Sequence, residues 1–464
     1  MSILNAVMMP HPPIILPDIG RGEERKIQST IDACRAAAHF VAESAPDTVI
    51  VLSPHATLYS DWFHLSPGRG ARGDFAHFGA PGVRLDVRYD NAFADAITDR
   101  AREQNFPAGT SGERDAALDH AAMIPLYFLR EAYGGKGLPP IVRIGLSGLP
   151  LLKHYRLGML LRDVSSDLSR QASIIASGDL SHRLKSDGPY GFRTEGPVYD
   201  ERIMDVMGRA AFGELLNFSG DLCEKAGECG HRSFTIMAGA FDGISVSAER
   251  LSYEGPFGVG YGVCLFTPGV AAADRRFYDA AMDAEEEKRR AVQAAEDEYV
   301  RLARYGVETF VRTGRAAKLP EGLPEELTGL RAGVFVSLHK DGQLRGCIGT
   351  TAPTTVSVAR EILQNGVSAC ARDPRFPPVT ERELSDLEYS VDVLGEAENI
   401  SSLEELDVKR YGVIVTNGLR RGLLLPDLEG VDTVARQIDI ARQKAGIGER
   451  EEVSLQRFEV VRHV

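Results

Sequence analysis

Three histidines stand where apolar, strand-like runs come to an end, and an imidazole delivered to such a place can ligate a metal or move a proton. His11 follows Val7-Met8-Met9-Pro10, and His55 follows Val49-Ile50-Val51-Leu52-Ser53-Pro54. His182 follows Ser173-Ile174-Ile175-Ala176-Ser177-Gly178-Asp179-Leu180-Ser181. Proline lacks the donor that a sheet ladder needs, so Pro10 and Pro54 stop their strands and hand over to a loop. Ligands of open α/β sheets bind just beyond the carboxyl ends of the strands. Three imidazoles delivered there would converge on one point. Two histidines and one carboxylate leave one face of an octahedral ion open, the arrangement of non-haem Fe(II) oxygenases. Asp115, Asp119, Asp179 and Glu228 are the candidate carboxylates, and residue types alone do not choose among them. Asp179 would serve equally by capping a turn or by orienting His182 from behind. Taken singly, each histidine has an ordinary reading as a hydrogen-bonded loop residue; the repeated pattern is what points to a site.

The elements that must carry these residues can be read from periodicity. Residues 3–9 form a first strand, and residues 23–45 a helix with Ile27, Ile31, Cys34, Ala38 and Val41 on one face. Residues 49–52 form the next strand. Strand, helix, strand in this order predicts a parallel sheet with right-handed crossovers. Residues 60–85, glycine-rich and holding the single Trp62, are expected to be a long excursion over the pocket mouth. His120 is expected in the loop before a helix over 123–132, because Pro125 suits a first helical turn. Further helices are expected over 91–104, 155–168, 199–216 and 233–241, and strands over 141–146, 246–253 and 259–266.

Beyond residues 268–274 the pattern changes. A charged helix is expected over 285–313. Asp341-Gly342 and Asn417-Gly418 each sit between strand-like runs, which is a strong hairpin signal. Residues 387–394 alternate as a half-buried strand, and 431–444 read as a helix. The fold class expected is therefore α/β with a mainly parallel sheet over residues 1–268, a linker over 269–289, and an α+β domain with an antiparallel sheet over 290–464.

Composition narrows the function classes. The 464 residues carry 53 basic and 66 acidic side chains, a net charge of −13, with no Lys/Arg stripe. Non-specific binding to a phosphate backbone is disfavoured. No apolar run approaches the roughly 20 residues of a membrane span. The N-terminal residues lack the charge and cleavage pattern of a secretory signal. The six cysteines show no CxxC or zinc-finger spacing. Reduced thiols and a cytoplasmic location are the expectation.

Pro10-His11-Pro12-Pro13, Ser53-Pro54-His55, Leu118-Asp119-His120 with Pro125-Leu126, Asp179-Leu180-Ser181-His182 and Glu228 together resemble the class III extradiol ring-cleavage dioxygenases, over residues 1–268. That resemblance implies Fe(II) held by His11, His55 and Glu228, and a catecholic small-molecule substrate. It implies His182 as the base and later the acid of the reaction, and His120 as a substrate contact. The same region is similar to the Memo proteins, which match at His11, His55, Asp179 and His182 and place a cysteine where this chain has Cys229. Glu228 and Cys229 are neighbours, so the chain carries both options, with Glu228 the ligand implied by the first resemblance and Cys229 the alternative.

In the second half, Gly346 and Gly349 would allow close backbone approach and Arg345 would grip an anion. The plainer reading is a glycine-kinked strand with a packed Cys347. Residues 344–349 and 373–378 resemble the signature stretches of the AMMECR family, which implies a cleft at Arg345, Gly346 and Cys347. The two halves together resemble the first component of AmmeMemoRadiSam systems. This implies a separate radical S-adenosylmethionine enzyme as partner, since the chain has no CxxxCxxC cluster motif. The alternative to a dioxygenase is then a metal-binding, non-oxygenase adaptor for that enzyme.

Overall fold

Four parallel strands lie side by side in the order Ile141–Gly145, Thr48–Ser53, Ala172–Ser177, Ile3–Met9, and two antiparallel strands, Tyr261–Ala271 and Ile244–Glu254, extend the sheet. Every residue of Thr48–Ser53, Ile141–Gly145 and Ala172–Ser177 is buried, which is why these strands are written as unbroken apolar runs rather than alternating ones. Helices cover both faces. Gln28–Glu43 and His120–Ala132 pack with Val7, Met9, Val49 and Val51 on one side. Leu151–Asp167, Glu195–Gly208 and His231–Gly239 pack with Met8, Ile50, Leu52 and Ile174 on the other. The sheet is thus mixed and mostly parallel, in agreement with the α/β expectation. These are the features of a computed structural model, which describes residues 2–134, 136–340, 342–428 and 430–464.

Register decides where the loops emerge. Met9 pairs with Ser177, and Leu52 pairs with Ala176. The carboxyl ends of three neighbouring strands are therefore level. The segments leading to His11, His55 and Asp179 leave the sheet side by side.

Residues 60–85 are more ordered than a loop excursion. They contain the strand Gly70–Phe75, which pairs antiparallel with Ala80–Arg88. Phe75 and Leu85 are buried against the helix side of the sheet, and a Cβ at Gly73 would come within 2.8 Å of Leu118 Cβ. The missing side chain is what lets this hairpin pack so closely.

The chain divides into two compact units, one ending at Glu286 and the other beginning at Glu287. The division falls inside the helix Phe277–Ala295, and the strand Tyr261–Ala271 runs on past residue 268. The single helix expected over 285–313 is two helices. Asp297 starts the second, Glu298–Thr313, by accepting from the N–H groups of Tyr299 and Val300. An N-cap side chain of this kind competes with continuing the first helix.

The second unit is an antiparallel sheet in the order Gln343–Gly349, Val334–Lys340, Leu387–Leu394, Ser454–His463, Tyr411–Asn417, Arg420–Leu424. Helices Glu298–Thr313 and Val358–Ala371 cover one face, meeting Val336, Leu338 and Val391. Val334–Lys340 and Gln343–Gly349 pair as the hairpin expected, although Asp341 of its turn lies outside the described residues.

Candidate metal centre

His11, His55 and His120 come together. Their ring centroids lie 5.0 Å (His11–His55), 5.4 Å (His11–His120) and 4.5 Å (His55–His120) apart. One ring nitrogen from each falls within 4.8 Å of the other two. His182 shares the same surroundings, since its charge would act on His11, and that of His55 on it.

Each imidazole is held by local structure. His11 is 1 % exposed, and its N–H donates to Asp179 Oδ1 at 2.8 Å. Its Nδ1 lies 2.9 Å from Ser177 Oγ. The Ser177 hydroxyl spends its one hydrogen on the Ala121 carbonyl at 2.7 Å, so it can only accept from His11. Nδ1 therefore carries the proton, and the Nε2 lone pair faces the site. His55 follows Pro54, and Ser53 Oγ donates to Asp119 Oδ1 at 2.5 Å. Asp119 also caps the next helix by accepting from Ala122 N at 3.0 Å. His120 is thus the first residue of a helix rather than part of the preceding loop. Its position is a correction with a plain cause, since the carboxylate before it satisfies the orphan helical N–H.

Burial drives all four imidazoles toward the neutral form. His11 is held well below the usual histidine range by burial and then by His55, His120 and His182. His120 and His182 are lowered to about 4, again chiefly by burial. Neutral imidazoles are the form that binds metal. His182 Nε2 is buried with no partner among the described residues, and its ring stacks on Tyr190 at 5.1 Å.

Glu228 and Cys229 separate here. Glu228 Oε2 accepts from His231 N at 2.6 Å, at the start of helix His231–Gly239, and burial pushes its carboxyl up to about 7. Its Oε2 is engaged by the helix, and neither Glu228 nor Cys229 belongs to the three-imidazole group. Cys229 Sγ lies 3.6 Å from His11 Nε2. The Asp179 N–H donates to the same sulfur at 3.3 Å, and the Cys229 N–H donates to the Asp179 carbonyl at 3.4 Å. Glu228, the third ligand that the first resemblance implies, and Cys229, the alternative, therefore differ in what they touch: Glu228 meets a helix start and Cys229 meets His11. Asp179 stays behind the site, orienting His11 and Cys229.

Two residues of this centre were not singled out from the sequence. Ser177 gave no signal. Arg143 was readable as the one charged residue of the buried strand Ile141–Gly145. It is 1 % exposed and donates to Ser66 Oγ at 2.7 Å and to the Asp115 carbonyl at 3.1 Å. Its guanidinium also stands 3.7 Å from Asp119 and 3.8 Å from Glu113. It neutralises the carboxylate that fixes Ser53 and the His120 helix.

The second-unit cleft residues have other employment. Arg345 donates to Glu383 Oε1 at 2.8 Å and to the Pro377 carbonyl at 2.9 Å, so its guanidinium holds a loop. A Cβ at Gly346 would lie 2.3 Å from the Ala369 carbonyl, so that glycine admits the neighbouring helix. Cys347 is half-buried and accepts from Ser337 Oγ at 3.2 Å.

Comparison with known proteins agrees with this division. The family model described as the catalytic LigB subunit of aromatic ring-opening dioxygenase matches residues 5–264, and the AMMECR1 family model matches residues 300–463. Protein CA_C1420 of Clostridium acetobutylicum is 39 % identical over 477 aligned residues, covering all of this chain and 99 % of that protein. A Thermotoga maritima protein is 52 % identical over 170 residues, 36 % of this chain and 98 % of its own. Among solved structures, the uncharacterized protein JW3007 of Escherichia coli K12 aligns with 56 % of this chain and 99 % of its own, at 15 % identity and a TM-score of 0.37. No helix of the described residues is long and apolar enough to cross a membrane.

Proposed function

Because the chain belongs to the family of the catalytic LigB subunit of aromatic ring-opening dioxygenases, followed in sequence by an AMMECR1 unit, we propose that its first unit is a metal-dependent centre of the Memo-like kind, in which His11, His55 and Cys229 hold the ion. The observation that carries this reading is the approach of Cys229 Sγ to His11 Nε2 at 3.6 Å. Bonds of about 2.0 Å to nitrogen and 2.3 Å to sulfur give a tetrahedral edge of about 3.5 Å. The Cys229–His11 pair therefore fits two neighbouring ligands of one metal, and His11, His55 and His120 form the three-donor group of the described residues. His120 belongs to that group, which Cys229 does not, and it also lines the adjoining cavity. This favours a role facing the substrate.

Iron(II) is the ion that the family membership favours. When bound, the metal supplies charge stabilisation to coordinated substrate oxygens. The chain's own groups do the rest. His182 offers a neutral imidazole whose buried Nε2 has no partner among the described residues, a group suited to take a proton from a substrate hydroxyl. His120 orients the same substrate from the cavity side. Asp179 and Ser177 hold His11 and Cys229 in place. The substrate class is a small molecule with paired oxygens, of catechol-like chemistry. The partner proposed is a separate radical S-adenosylmethionine enzyme, as the resemblance of the two halves to AmmeMemoRadiSam systems implies.

Ring opening of a catechol is the second reading, favoured by the unpartnered His182 Nε2 beside the imidazole cluster. Anaerobic Fe(II) loading of the full-length protein, followed by dioxygen uptake with a catechol panel, separates the two. The Memo-like reading expects iron retained without ring-cleaved product. Stoichiometric uptake with a ring-opened product would move the assignment to the second.

A further inference from the structure

A cavity of about 1160 Å³ opens at His120 and runs between helix His120–Ala132 and the hairpin that precedes it. Its two ends differ. At one, the half-exposed Phe78 ring meets His120 edge-on at 5.3 Å, beside the imidazole cluster. At the other stand Arg84 and Arg130. Arg130 is ten residues beyond His120 on the same helix, which is about 15 Å at 1.5 Å per residue. Leu85 and Leu118, both buried, lie in the wall between.

The charges along this wall are not equally engaged. Arg72 is paired with Asp86 at 2.7 Å. Asp119 is held by Ser53, Ala122 and Arg143. Asp74 and Asp115 accept from the N–H groups of Ala76 and Ala117. Arg84 donates only its Nε, to the Pro81 carbonyl at 2.9 Å. Arg130 donates one Nη1 to the Arg84 carbonyl at 2.8 Å and lies over the Tyr127 ring at 5.3 Å. Among the described residues neither has a carboxylate partner. A guanidinium has five N–H donors in a fork that suits carboxylate or phosphate. Two such forks therefore face the far end of the cavity with most of their donors free.

We propose that this cavity takes an elongated small molecule, about 12–15 Å long, whose oxygen-bearing head meets the histidine cluster and whose terminal anion is gripped by Arg84 and Arg130. The position of the head rests on the function proposed above; the anion site does not. Carboxylate and phosphate share the chemistry that the two arginines would recognise.

The test is calorimetric titration of the full-length protein with 3,4-dihydroxyphenyl alkanoates of short and long chain, the matching alkyl phosphates, and the matching neutral amides. A long-chain anion of either kind should bind about tenfold tighter than its amide. A short-chain anion should show no such advantage. The advantage should vanish in the Arg84→Gln/Arg130→Gln double variant, with its circular dichroism unchanged. Equal binding of anion and amide in the unaltered protein would overturn the proposal, as would an advantage that survives in the double variant. A phenyl head that binds as well as the catechol head, with the anion advantage intact, would leave the arginine site standing. It would count instead against the reading of the metal centre.

Discussion

Replacing Cys229 with serine and, separately, Glu228 with glutamine puts the ligand assignment to a quantitative test. The sulfur stands a tetrahedral edge away from His11 Nε2, so under the proposed assignment Cys229→Ser removes a direct donor. Losing a mere outer partner of a ligand costs about 10–100-fold in affinity. Losing the donor itself should cost at least about 100-fold, or about 2.8 kcal/mol at 1.4 kcal/mol per tenfold. Glu228 makes its bond to His231 N, and burial already raises its carboxyl to about 7. A glutamine oxygen can accept from the same N–H. Glu228→Gln should therefore leave metal affinity unchanged and alter stability by less than about 1 kcal/mol. Competition against a chromogenic chelator, with anaerobic Fe(II) and with Zn(II), reads both affinities, and circular dichroism confirms folding. A large loss in Glu228→Gln with full retention in Cys229→Ser would refute the reasoning.

Ser177→Ala removes the group that fixes the His11 tautomer and should weaken metal binding by about 10–100-fold in the same titration; unchanged binding would show that the tautomer is set otherwise. Arg143→Met leaves the Asp119 and Glu113 carboxylates without their buried cation and should destabilise the first unit by about 3 kcal/mol in denaturant unfolding, a loss below about 1 kcal/mol arguing against the clamp. In the second unit, burial would raise the Glu383 carboxyl, but Arg345 and Thr380 outweigh it and hold it down at about 2. Because the folded value lies below the unfolded value of about 4.3, this pair adds stability above that pH and loses it as the pH falls toward 2. Glu383→Gln should therefore flatten the acid limb of stability in that window, as followed by urea unfolding at a series of pH values.

Much of the centre was legible because its signals were local. Proline directly after an apolar run marks a strand end, and this located His11 and His55. The strand–helix–strand order predicted a parallel sheet, but not that Ala172–Ser177 would lie between the strands leading to His11 and His55 and pair with both. The choice between Glu228 and Cys229 was not legible, because neighbours in a turn diverge by side-chain direction. For Glu228 that direction is set by the nearby His231 N–H at a helix start. His120 was misplaced by one step for the same reason, since Asp119 begins the helix earlier than Pro125 suggests. Arg345 read as an anion grip because its partner Glu383 is 38 positions away. The break at Asp297 was a capping signal inside a charged run, and periodicity alone overrides such a residue too easily.

The central claim is that a sulfur and two imidazoles from distant parts of the first unit share one cation. X-ray absorption on the zinc-loaded full-length protein tests it most directly. The account predicts one sulfur scatterer at about 2.3 Å beside nitrogen at about 2.0–2.1 Å, with the sulfur lost in Cys229→Ser. A coordination shell of nitrogen and oxygen alone in the unaltered protein would contradict it.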